Sequence, residues 1–375
     1  MLKCEEFFNC LKTGGVDFFT GVPDSLLKNI CAYITDHVEE NAHVIAANEG
    51  GAIGLAIGHY LATANPALVY MQNSGQGNIV NPLMSLADKE VYGIPMLLLV
   101  GWRGEPEIKD EPQHIKQGKV TIPIFEAMGI HHMILPEQIA EAQVVVKEAL
   151  RETRERGQPV ALLVRKGTFD LYALQKKPEN PHSLSREEAI RLVVQSLDEN
   201  ATLVSTTGKA SRELFEIREI AQQGHQKDFL TVGGMGHASQ IALGIALAQP
   251  NRTVCCLDGD GAALMHAGGM GIIGTYSDVC LKHILLNNGT HDSVGGQPTI
   301  GFSVNFCDLA RSMGYSSVLC VESADALREE LPHFLSNPGL GFLEIRVAGG
   351  ARDDLGRPTT TPAENKQAIM EFLCD

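Results

Sequence analysis

The feature that most constrains this sequence is a pair of hydrophobic segments, each ending in a side chain with an oxygen ligand. The first leads into Gly259-Asp260-Gly261, and the second, residues 282–286, leads into Asn287-Asn288. A carboxylate and a carboxamide at the ends of parallel strands suit a hard cation such as Mg²⁺. The glycine-flanked turn opens a helix, whose first N–H groups suit a phosphate. The sequence therefore predicts a metal-bridged diphosphate site at the carboxyl edge of a parallel sheet.

Two other interpretations of this region are open on the residues alone. Gly-Asp-Gly also occurs as a plain strand-to-helix turn in which the Asp caps the helix. A dinucleotide-binding fold is the second alternative, because Gly-Met-Gly at 234–236 follows a strand-like segment and Asp258 stands about 20 residues further on. That fingerprint lacks its third glycine, since Ser239 occupies the position, and it leaves the Asn-Asn pair unexplained.

The spacing of these motifs also resembles a known signature. Gly-Asp-Gly, then the 25 residues 262–286, then Asn-Asn is similar to the signature of thiamine-diphosphate enzymes. Segments over nearly the whole chain resemble the phosphonopyruvate decarboxylase family, whose nearest relatives are the sulfopyruvate decarboxylases. These segments are residues 21–25, 103–106, 109–114 and 288–298. The resemblance implies thiamine diphosphate and Mg²⁺ as cofactors and a small anionic 2-oxo acid as substrate.

Composition narrows the class of protein. The formal net charge of −15 argues against a nucleic-acid or anionic-membrane surface, because either partner requires a basic face. Nine cysteines are scattered without a Cys-X-X-Cys pair, which is typical of reduced thiols in the cytoplasm. The N-terminus shows no signal-peptide pattern, and no apolar run reaches membrane-spanning length. We therefore expect a cytoplasmic protein with no nucleic-acid and no membrane partner.

The alternation of strand-like and helix-like segments predicts an α/β fold. The resemblance implies two thiamin-diphosphate-binding-fold domains, each a mainly parallel sheet flanked by helices, with no central third domain. We expect a pyrimidine-binding domain over residues 1–168, a linker over 169–184 and a diphosphate- and Mg²⁺-binding domain over 185–375. Ser185 and Glu188 form a capping box, which predicts that the second domain begins with a helix.

In the first domain, Glu49 ends a short strand-like segment and is followed by two glycines. The resemblance implies that this acid binds N1′ of the cofactor's aminopyrimidine and drives deprotonation of the thiazolium C2. Such a carboxyl group is expected in a water-poor site. Ser74 and Gly75 lie in the loop after the next strand, which borders the pyrimidine by the same resemblance.

A polar segment, residues 101–119, gathers basic groups in an otherwise acidic protein. It is either a solvated loop or a substrate-binding lid, and its position after a central apolar strand favours the lid. Asp24 and Ser25 are either caps of a helix beginning near residue 26 or substrate contacts. The predicted substrate-binding residues are Asp24, Ser25, Arg103, Lys109, His114 and His291. The predicted catalytic residues are Glu49, His114 and His291.

In the second domain, the resemblance assigns cofactor contacts to strand ends. The carbonyl of Gly233 is expected to accept from the cofactor's 4′-amine, and Met235 to lie beneath the thiazolium, although a core methionine is the alternative. The predicted metal ligands are Asp260, Asn288 and the carbonyl of Thr290. The predicted cofactor-binding residues are Glu49, Ser74, Gly75, Thr207, Gly208, Gly233, Met235, Gly259, Gly261 and Ala262.

The reaction implied by the resemblance is a non-oxidative decarboxylation of phosphonopyruvate to phosphonoacetaldehyde and CO₂, a step of phosphonate biosynthesis. Sulfopyruvate decarboxylation, a thiamine-dependent carboligation, a nicotinamide-dependent dehydrogenation and a catalytically silent binding subunit remain as alternatives. The resemblance also implies a homodimer or larger homo-oligomer. Each site would then combine the first domain of one subunit with the second domain of another.

Overall fold

A computed structural model describes residues 1–374, which divide into two compact units. Unit 1 comprises Met1–Lys177 and Ser293–Gln297, and unit 2 comprises Pro178–Asp292 and the residues from Pro298 onward. The division after Lys177 falls inside the segment 169–184 predicted as a linker. Nothing in the sequence suggested that residues 293–297 group with unit 1.

Unit 1 is a six-stranded parallel sheet with helices on both faces. Its strands are β1 (Phe19–Gly21), β2 (His43–Ile45), β3 (Ala67–Gln72), β4 (Met96–Gly101), β5 (His131–Ile134) and β6 (Val160–Val164). Its helices are α1 (Cys4–Thr13), α2 (Lys28–His37), α3 (Glu49–Thr63), α4 (Gln76–Pro82), α5 (Pro112–Ala127) and α6 (Ile139–Arg156). The strand order is β2-β1-β3-β4-β6-β5.

Unit 2 is a second six-stranded parallel sheet. Its strands are β7 (Thr202–Ser205), β8 (Asp228–Leu230), β9 (Val254–Gly259), β10 (Leu281–Asn287), β11 (Ser317–Val321) and β12 (Gly341–Arg346). Its helices are α7 (Arg186–Ser196), α8 (Lys209–Ile220), α9 (Ala238–Ala248), α10 (Asp260–Met265), α11 (Gly268–Gly274), α12 (Phe306–Ser312), α13 (Ala324–Ser336) and α14 (Pro362–Cys374). The strand order, β8-β7-β9-β10-β12-β11, repeats that of unit 1.

The shared topology fixes where ligands are expected. In each unit the first strand lies between the second and the third. The strand order therefore changes direction next to the first strand. Open α/β sheets bind ligands outside the carboxyl ends of the strands at such points. The loops that follow β1, β3, β7 and β9 are therefore the candidate site positions.

Alternate residues of the central strands fill cores on opposite faces. In β3, Leu68 and Tyr70 pack with α1, α2 and α6, whereas Val69 and Met71 pack with α3 and α5. A strand covered on both faces is hydrophobic throughout, which is why continuous apolar runs predicted these strands. Each fully buried leucine or valine contributes roughly 1.5–3 kcal/mol. The predicted α/β fold with two helix-flanked parallel sheets is confirmed.

Element boundaries differ from the prediction mainly at loops. The segment 101–119 was expected to be a loop, but α5 begins at Pro112, with proline in the first turn, where its missing N–H costs nothing. Half of the predicted capping box at α7 is present: the Ser185 side chain accepts from Glu188 N at 3.1 Å, whereas the Glu188 carboxylate pairs with Arg191 and Arg328. No helix within residues 1–374 is long and apolar enough to cross a bilayer.

Candidate functional site

Glu49 is the first residue of α3 and is buried, with 5% of its surface exposed. The Asn48 side chain caps the helix by accepting from Gly51 N at 2.8 Å. The Asn78 amide donates to Glu49 Oε2 at 2.7 Å. Gly75 lies so close that an added Cβ would overlap Glu49 Oε1, so glycine is required there. A buried carboxylate with one oxygen held by an amide suits proton transfer with a bound heterocycle.

A chain of polar side chains continues across the carboxyl ends of β1 and β3. Gln72 donates to Asp24 Oδ1 at 2.6 Å, and Ser74 Oγ donates to Gln72 Oε1 at 2.8 Å. Asp24 is fully buried, and burial raises the pKa of its carboxyl despite the hydrogen bond from Gln72. Asp24 Oδ2 accepts from Leu26 N at 2.9 Å, so Asp24 holds the turn that leads into α2, although the helix itself begins at Lys28 with Leu27 in the cap position.

The loop after β4 is organised by an ion pair. Arg103 Nε donates to Asp110 Oδ2 at 2.8 Å, its NH2 group donates to Oδ1 of the same carboxylate, and its NH1 donates to Ser25 Oγ at 2.7 Å. Burial opposes ionisation of Asp110, but donors from Arg103 and two backbone N–H groups outweigh it and hold the pKa of this carboxyl below its usual range. Arg103 thus points into the loop, whereas Lys109 is exposed.

His114 lies in the first turns of α5 and is 8% exposed. Gly104 has a left-handed φ of +68°, and a Cβ there would overlap the His114 carbonyl oxygen, so the loop packs directly on the helix. Asn73 strengthens this packing by donating to the Arg103 carbonyl at 2.8 Å and to Thr121 Oγ1 at 2.9 Å. Only residues 102–111 therefore remain as the predicted lid, and contacts hold both ends of this loop in place.

In unit 2, β9 ends at Gly259 and Asp260 begins α10. Asp260 is 3% exposed and accepts from Thr299 Oγ1 and from the backbone N–H groups of Gly261 and Asn288. Burial raises the pKa of its carboxyl to about 6, because it outweighs the hydrogen bonds from these donors, which lower the pKa. Among residues 1–374, no basic side chain forms an ion pair with this carboxylate.

The turn after β10 presents the other predicted metal ligands. Asn288 Oδ1 accepts from Thr290 N at 3.0 Å, and its amide donates to Asp292 Oδ2 at 2.7 Å. Thr290 Oγ1 donates to Asp292 Oδ1 at 2.9 Å. The chain then loops out and returns, since Thr299 N donates to the Gly289 carbonyl at 2.9 Å. This return brings the Thr299 hydroxyl to Asp260.

Asp292 is tied to a buried arginine that sequence analysis did not single out. Arg186 is 7% exposed, donates to Asp292 Oδ2 at 2.8 Å and makes two bonds to Glu213 at 2.7 and 2.9 Å. Burial opposes the Asp292 charge, but Arg186, Thr290 and Lys209 together hold the pKa of this carboxyl below its usual value. Arg186 and Asp292 therefore fix the shape of the turn that carries Asn288 and Thr290.

The remaining predicted cofactor contacts also lie at strand ends of unit 2. A Cβ on Gly261 would lie 3.0 Å from His291 Cε1 and 3.3 Å from the methyl of Met235, so these three residues adjoin. Burial lowers the pKa of His291 to about 4, against the charge of Asp292. Gly208 has φ +100° and caps α8, directly after Thr207. Gly233, half-buried, follows β8, and Ala262 is buried in α10.

The donor set fits the cofactors that the sequence predicts. Mg²⁺ takes oxygen ligands, and a buried carboxylate without a basic partner, a carboxamide and a backbone carbonyl meet this requirement. The turn at Gly208, which begins the twelve-residue helix α8, offers free N–H groups suited to phosphate oxygens. No other atom would lie within 4 Å of a Cβ built on Gly259, so the turn after β9 is also accessible to a ligand.

Comparison with known proteins gives a family match for each half of the chain. Residues 4–122 match the family described as "Thiamine pyrophosphate enzyme, N-terminal TPP binding domain", and residues 206–345 match "Thiamine pyrophosphate enzyme, C-terminal TPP binding domain". The phosphonopyruvate decarboxylase of Streptomyces hygroscopicus is 31% identical over 401 residues, covering 100% of this chain and 95% of that protein. The chain belongs to the thiamine pyrophosphate enzyme family.

Two further relatives of this thiamine pyrophosphate enzyme also match almost end to end. The phosphonopyruvate decarboxylase of Streptomyces viridochromogenes is 30% identical, with 96% of this chain and 92% of that protein covered. The sulfopyruvate decarboxylase of Methanosarcina acetivorans is 26% identical, with 98% and 97% covered. The resemblance predicted from the sequence is confirmed. The C-terminal match spans residues 234–239 and Asp258, so the dinucleotide alternative loses its support.

Sequence analysis did not identify several residues that contribute to the candidate site of this thiamine pyrophosphate enzyme. Asn78 and Thr299 contact predicted site residues, and Arg186 contacts Asp292, which holds two of them, yet each is an ordinary polar residue in its local sequence. Asp292 had a usable signal, because it stands four residues after Asn288 in a glycine-containing turn. An acid in such a turn commonly accepts from nearby donors.

Proposed function

We propose that this protein catalyses the thiamine-diphosphate- and Mg²⁺-dependent, non-oxidative decarboxylation of phosphonopyruvate to phosphonoacetaldehyde and CO₂. The observation that carries the proposal is end-to-end similarity at 30–31% identity to two phosphonopyruvate decarboxylases. Two domains without a third between them suit a minimal decarboxylase. When bound, thiamine diphosphate supplies the carbon nucleophile and the acceptor for the electrons that CO₂ leaves behind.

Glu49 is the proposed proton carrier for cofactor activation. Its Oε2 accepts from Asn78, which leaves Oε1 to share a proton with N1′ of the aminopyrimidine. Burial excludes water that would otherwise compete for that proton. Ser74 and Gly75 border the same ring, and Gly75 provides the space that Glu49 needs.

The diphosphate and its metal are assigned to unit 2. Asp260, Asn288 and the Thr290 carbonyl hold Mg²⁺, and Arg186 with Asp292 keeps two of these ligands in place. The proposed diphosphate contacts are Thr207, Gly208, Gly259, Gly261 and Ala262. Gly233 and Met235 are assigned to the pyrimidine amine and the thiazolium, respectively. Lys209, the first residue of α8, adds positive charge beside Thr207 and Gly208.

The substrate's charges are assigned to the loop after β4 and to nearby polar groups. A guanidinium carries five N–H donors, and Arg103 uses three of them within the protein, so two remain for a phosphonate oxygen. Lys109 is exposed and adds a point charge. Asp24, Ser25 and His114 remain proposed substrate contacts. His291 is uncharged near neutral pH, because burial lowers its pKa to about 4, so it acts as a neutral donor or acceptor.

Sulfopyruvate decarboxylation is the second candidate, favoured by the full-length similarity to a sulfopyruvate decarboxylase. The two substrates share a 2-oxo acid and differ in the charge of the group at C3. Aldehyde release from phosphonopyruvate, sulfopyruvate and pyruvate, measured side by side with Mg²⁺ and thiamine diphosphate, separates the candidates. The proposal requires the highest kcat/KM with phosphonopyruvate. Products formed only when a second aldehyde is added would instead indicate a carboligase.

We also propose that the active form is at least a homodimer with sites shared between subunits. The proposal follows from the family resemblance, and α3 supports it by exposing apolar Leu55 and Leu61. Mixing inactive Glu49→Gln and Asp260→Ala chains should restore activity, because a mixed dimer can hold one site free of both changes. Verified mixed dimers without activity would refute shared sites. A cytoplasmic location is proposed on the strength of nine free thiols.

A further inference from the structure

Two thiols and a carboxylate meet at one edge of the unit 2 sheet, on residues that the proposed reaction does not use. Cys320 lies on the edge strand β11 and pairs directly with Glu344 on β12. Cys307 lies in the first turn of α12. The two sulfurs and a carboxylate oxygen all lie within 4.8 Å of one another, and Cys307 Sγ is 4.0 Å from Glu344 Oε2.

The group is open on one side and buried on the other. Cys320 is exposed, whereas Glu344 is 1% exposed. Glu344 Oε1 accepts from Asn287 at 2.8 Å and from Arg346 at 3.1 Å, whereas among residues 1–374 Oε2 accepts only from the weak thiol donor of Cys307. An ion can therefore enter past Cys320 and meet a carboxylate oxygen that lacks a strong donor.

The charges of the group suit a dication. Thiolates are the form that binds metals. Two thiolates and one carboxylate carry three negative charges, and Arg346 offsets one of them. A divalent cation would balance the other two.

Ligand type and spacing identify the class of ion. Thiolates select zinc-like ions, whereas Mg²⁺ and Ca²⁺ take oxygen ligands. Tetrahedral zinc, with Zn–S of about 2.3 Å and Zn–O of about 2.0–2.2 Å, separates its ligand atoms by roughly 3.5–3.8 Å. The 4.0 Å between Cys307 Sγ and Glu344 Oε2 is close to this range. We propose that Cys307, Cys320 and Glu344 bind one thiophilic divalent cation such as Zn²⁺, with water as the fourth ligand.

The proposed ion connects to the turn after β10 through one side chain. Glu344 Oε1 holds the Asn287 amide, and Asn287 Oδ1 accepts from Gly289 N at 3.2 Å. Fixing Glu344 therefore fixes the residue that precedes Asn288. Zinc should raise the melting temperature of the protein and should be distinct from the Mg²⁺ that activity requires.

The test titrates reduced, metal-stripped protein with Zn²⁺ against a chromogenic chelator, in excess Mg²⁺ and thiamine diphosphate so that the cofactor site is filled. One tightly bound ion per chain is expected. Cys320→Ser and Glu344→Gln should each weaken binding by roughly tenfold or more. Cys374→Ser, which changes another exposed cysteine, should leave binding unchanged. Co²⁺ in place of Zn²⁺ should give a thiolate charge-transfer band that is weaker in Cys307→Ser and in Cys320→Ser than in the parent protein.

Two outcomes would overturn the proposal. The first is equal Zn²⁺ affinity in the parent, Cys307→Ser and Cys320→Ser proteins. The second is loss of the ion in Cys256→Ser alone, because this would place it in the buried group of Cys256, Asp258 and His283.

Discussion

The two units share a strand order but treat their site carboxylates differently. In unit 1, Asp110 is paired with Arg103, which helps to hold the pKa of the carboxyl below its usual range. In unit 2, Asp260 has no basic partner among residues 1–374, and burial raises its pKa to about 6. The common topology supplies equivalent strand ends, and the loop residues decide whether a carboxylate is neutralised by an arginine or is left without a basic partner.

Each unit also contains an acidic residue that shapes a loop. Asp110 accepts from two backbone N–H groups of its own loop, and Asp292 accepts from two side chains of its turn. Each of these acids is neutralised by an arginine, Arg103 in unit 1 and Arg186 in unit 2. Asp110 and Asp292 therefore shape loops, whereas Glu49 and Asp260 are the acids that we propose act on the cofactor and the metal.

The largest expected effect comes from Glu49→Gln. Glutamine keeps an oxygen for the Asn78 amide but cannot exchange a proton with the cofactor. We expect kcat to fall roughly 10²–10⁴-fold, the usual contribution of a positioned acid or base, with thiamine diphosphate affinity nearly unchanged. Steady-state kinetics, NMR exchange of the cofactor C2–H and cofactor titration measure the three quantities.

The matched control is Glu126→Gln, which changes an exposed acid of the same unit and should be silent. An increase in KM at unchanged kcat would instead assign Glu49 to uniform substrate binding. Unit 1 would then contribute no acid to the chemistry, and the contrast with its loop-shaping Asp110 would disappear.

Much of the fold and part of the site could be predicted from the sequence. The continuous apolar run at residues 160–164 indicates β6, whose five residues are all buried, because a strand covered on both faces must be hydrophobic throughout. The motif residues Glu49, Asp260 and Asn288 were placed at strand ends, and the structure brings each one there or within four residues of it. The carboxyl ends of parallel strands lie at one edge of a sheet, so the local sequence is enough to predict that these residues lie near that edge.

The rest depends on contacts between residues distant in sequence. Thr299 reaches Asp260 only because the chain after Thr290 loops out and returns, and no local pattern predicts that path. Arg186 is separated from Asp292 by more than one hundred residues and looks like a solvated first-turn arginine in its own helix. The start of α5 at Pro112 was predictable, since an acid followed by proline is a common helix start.

Asp260→Ala is expected to have the second-largest effect. Removing the uncompensated carboxylate of unit 2 takes a charged ligand from Mg²⁺, so retention of Mg²⁺ and thiamine diphosphate should weaken by on the order of 10²-fold or more. Cofactor content after gel filtration and isothermal titration both measure the loss. Full activity with the cofactor retained would contradict the metal assignment. Asp353→Ala, in the C-terminal part of the same unit, serves as the control.

Asp292→Asn should have an intermediate effect. Asparagine leaves Arg186 without one of its two carboxylate partners and loosens the turn that carries Asn288 and Thr290. Groups that orient metal ligands typically contribute about 10–100-fold to affinity, so the Mg²⁺ concentration for half-maximal activity should rise by this factor. Asp308→Asn, an exposed acid of α12, is the control. A lower melting temperature with an unchanged Mg²⁺ dependence would restrict Asp292 to folding.

The smallest expected effect concerns substrate selection by Arg103. Arg103→Ala should lower kcat/KM for phosphonopyruvate at least tenfold more than for pyruvate, because only the former has a phosphonate to occupy the two unused N–H donors. Arg103→Lys keeps the charge but loses the fork that binds Asp110. Lysine should therefore restore part of the selectivity if Arg103 contacts substrate. Equal losses on both substrates, with no rescue by lysine, would mean that Arg103 only shapes its loop, as Arg186 is inferred to do in unit 2.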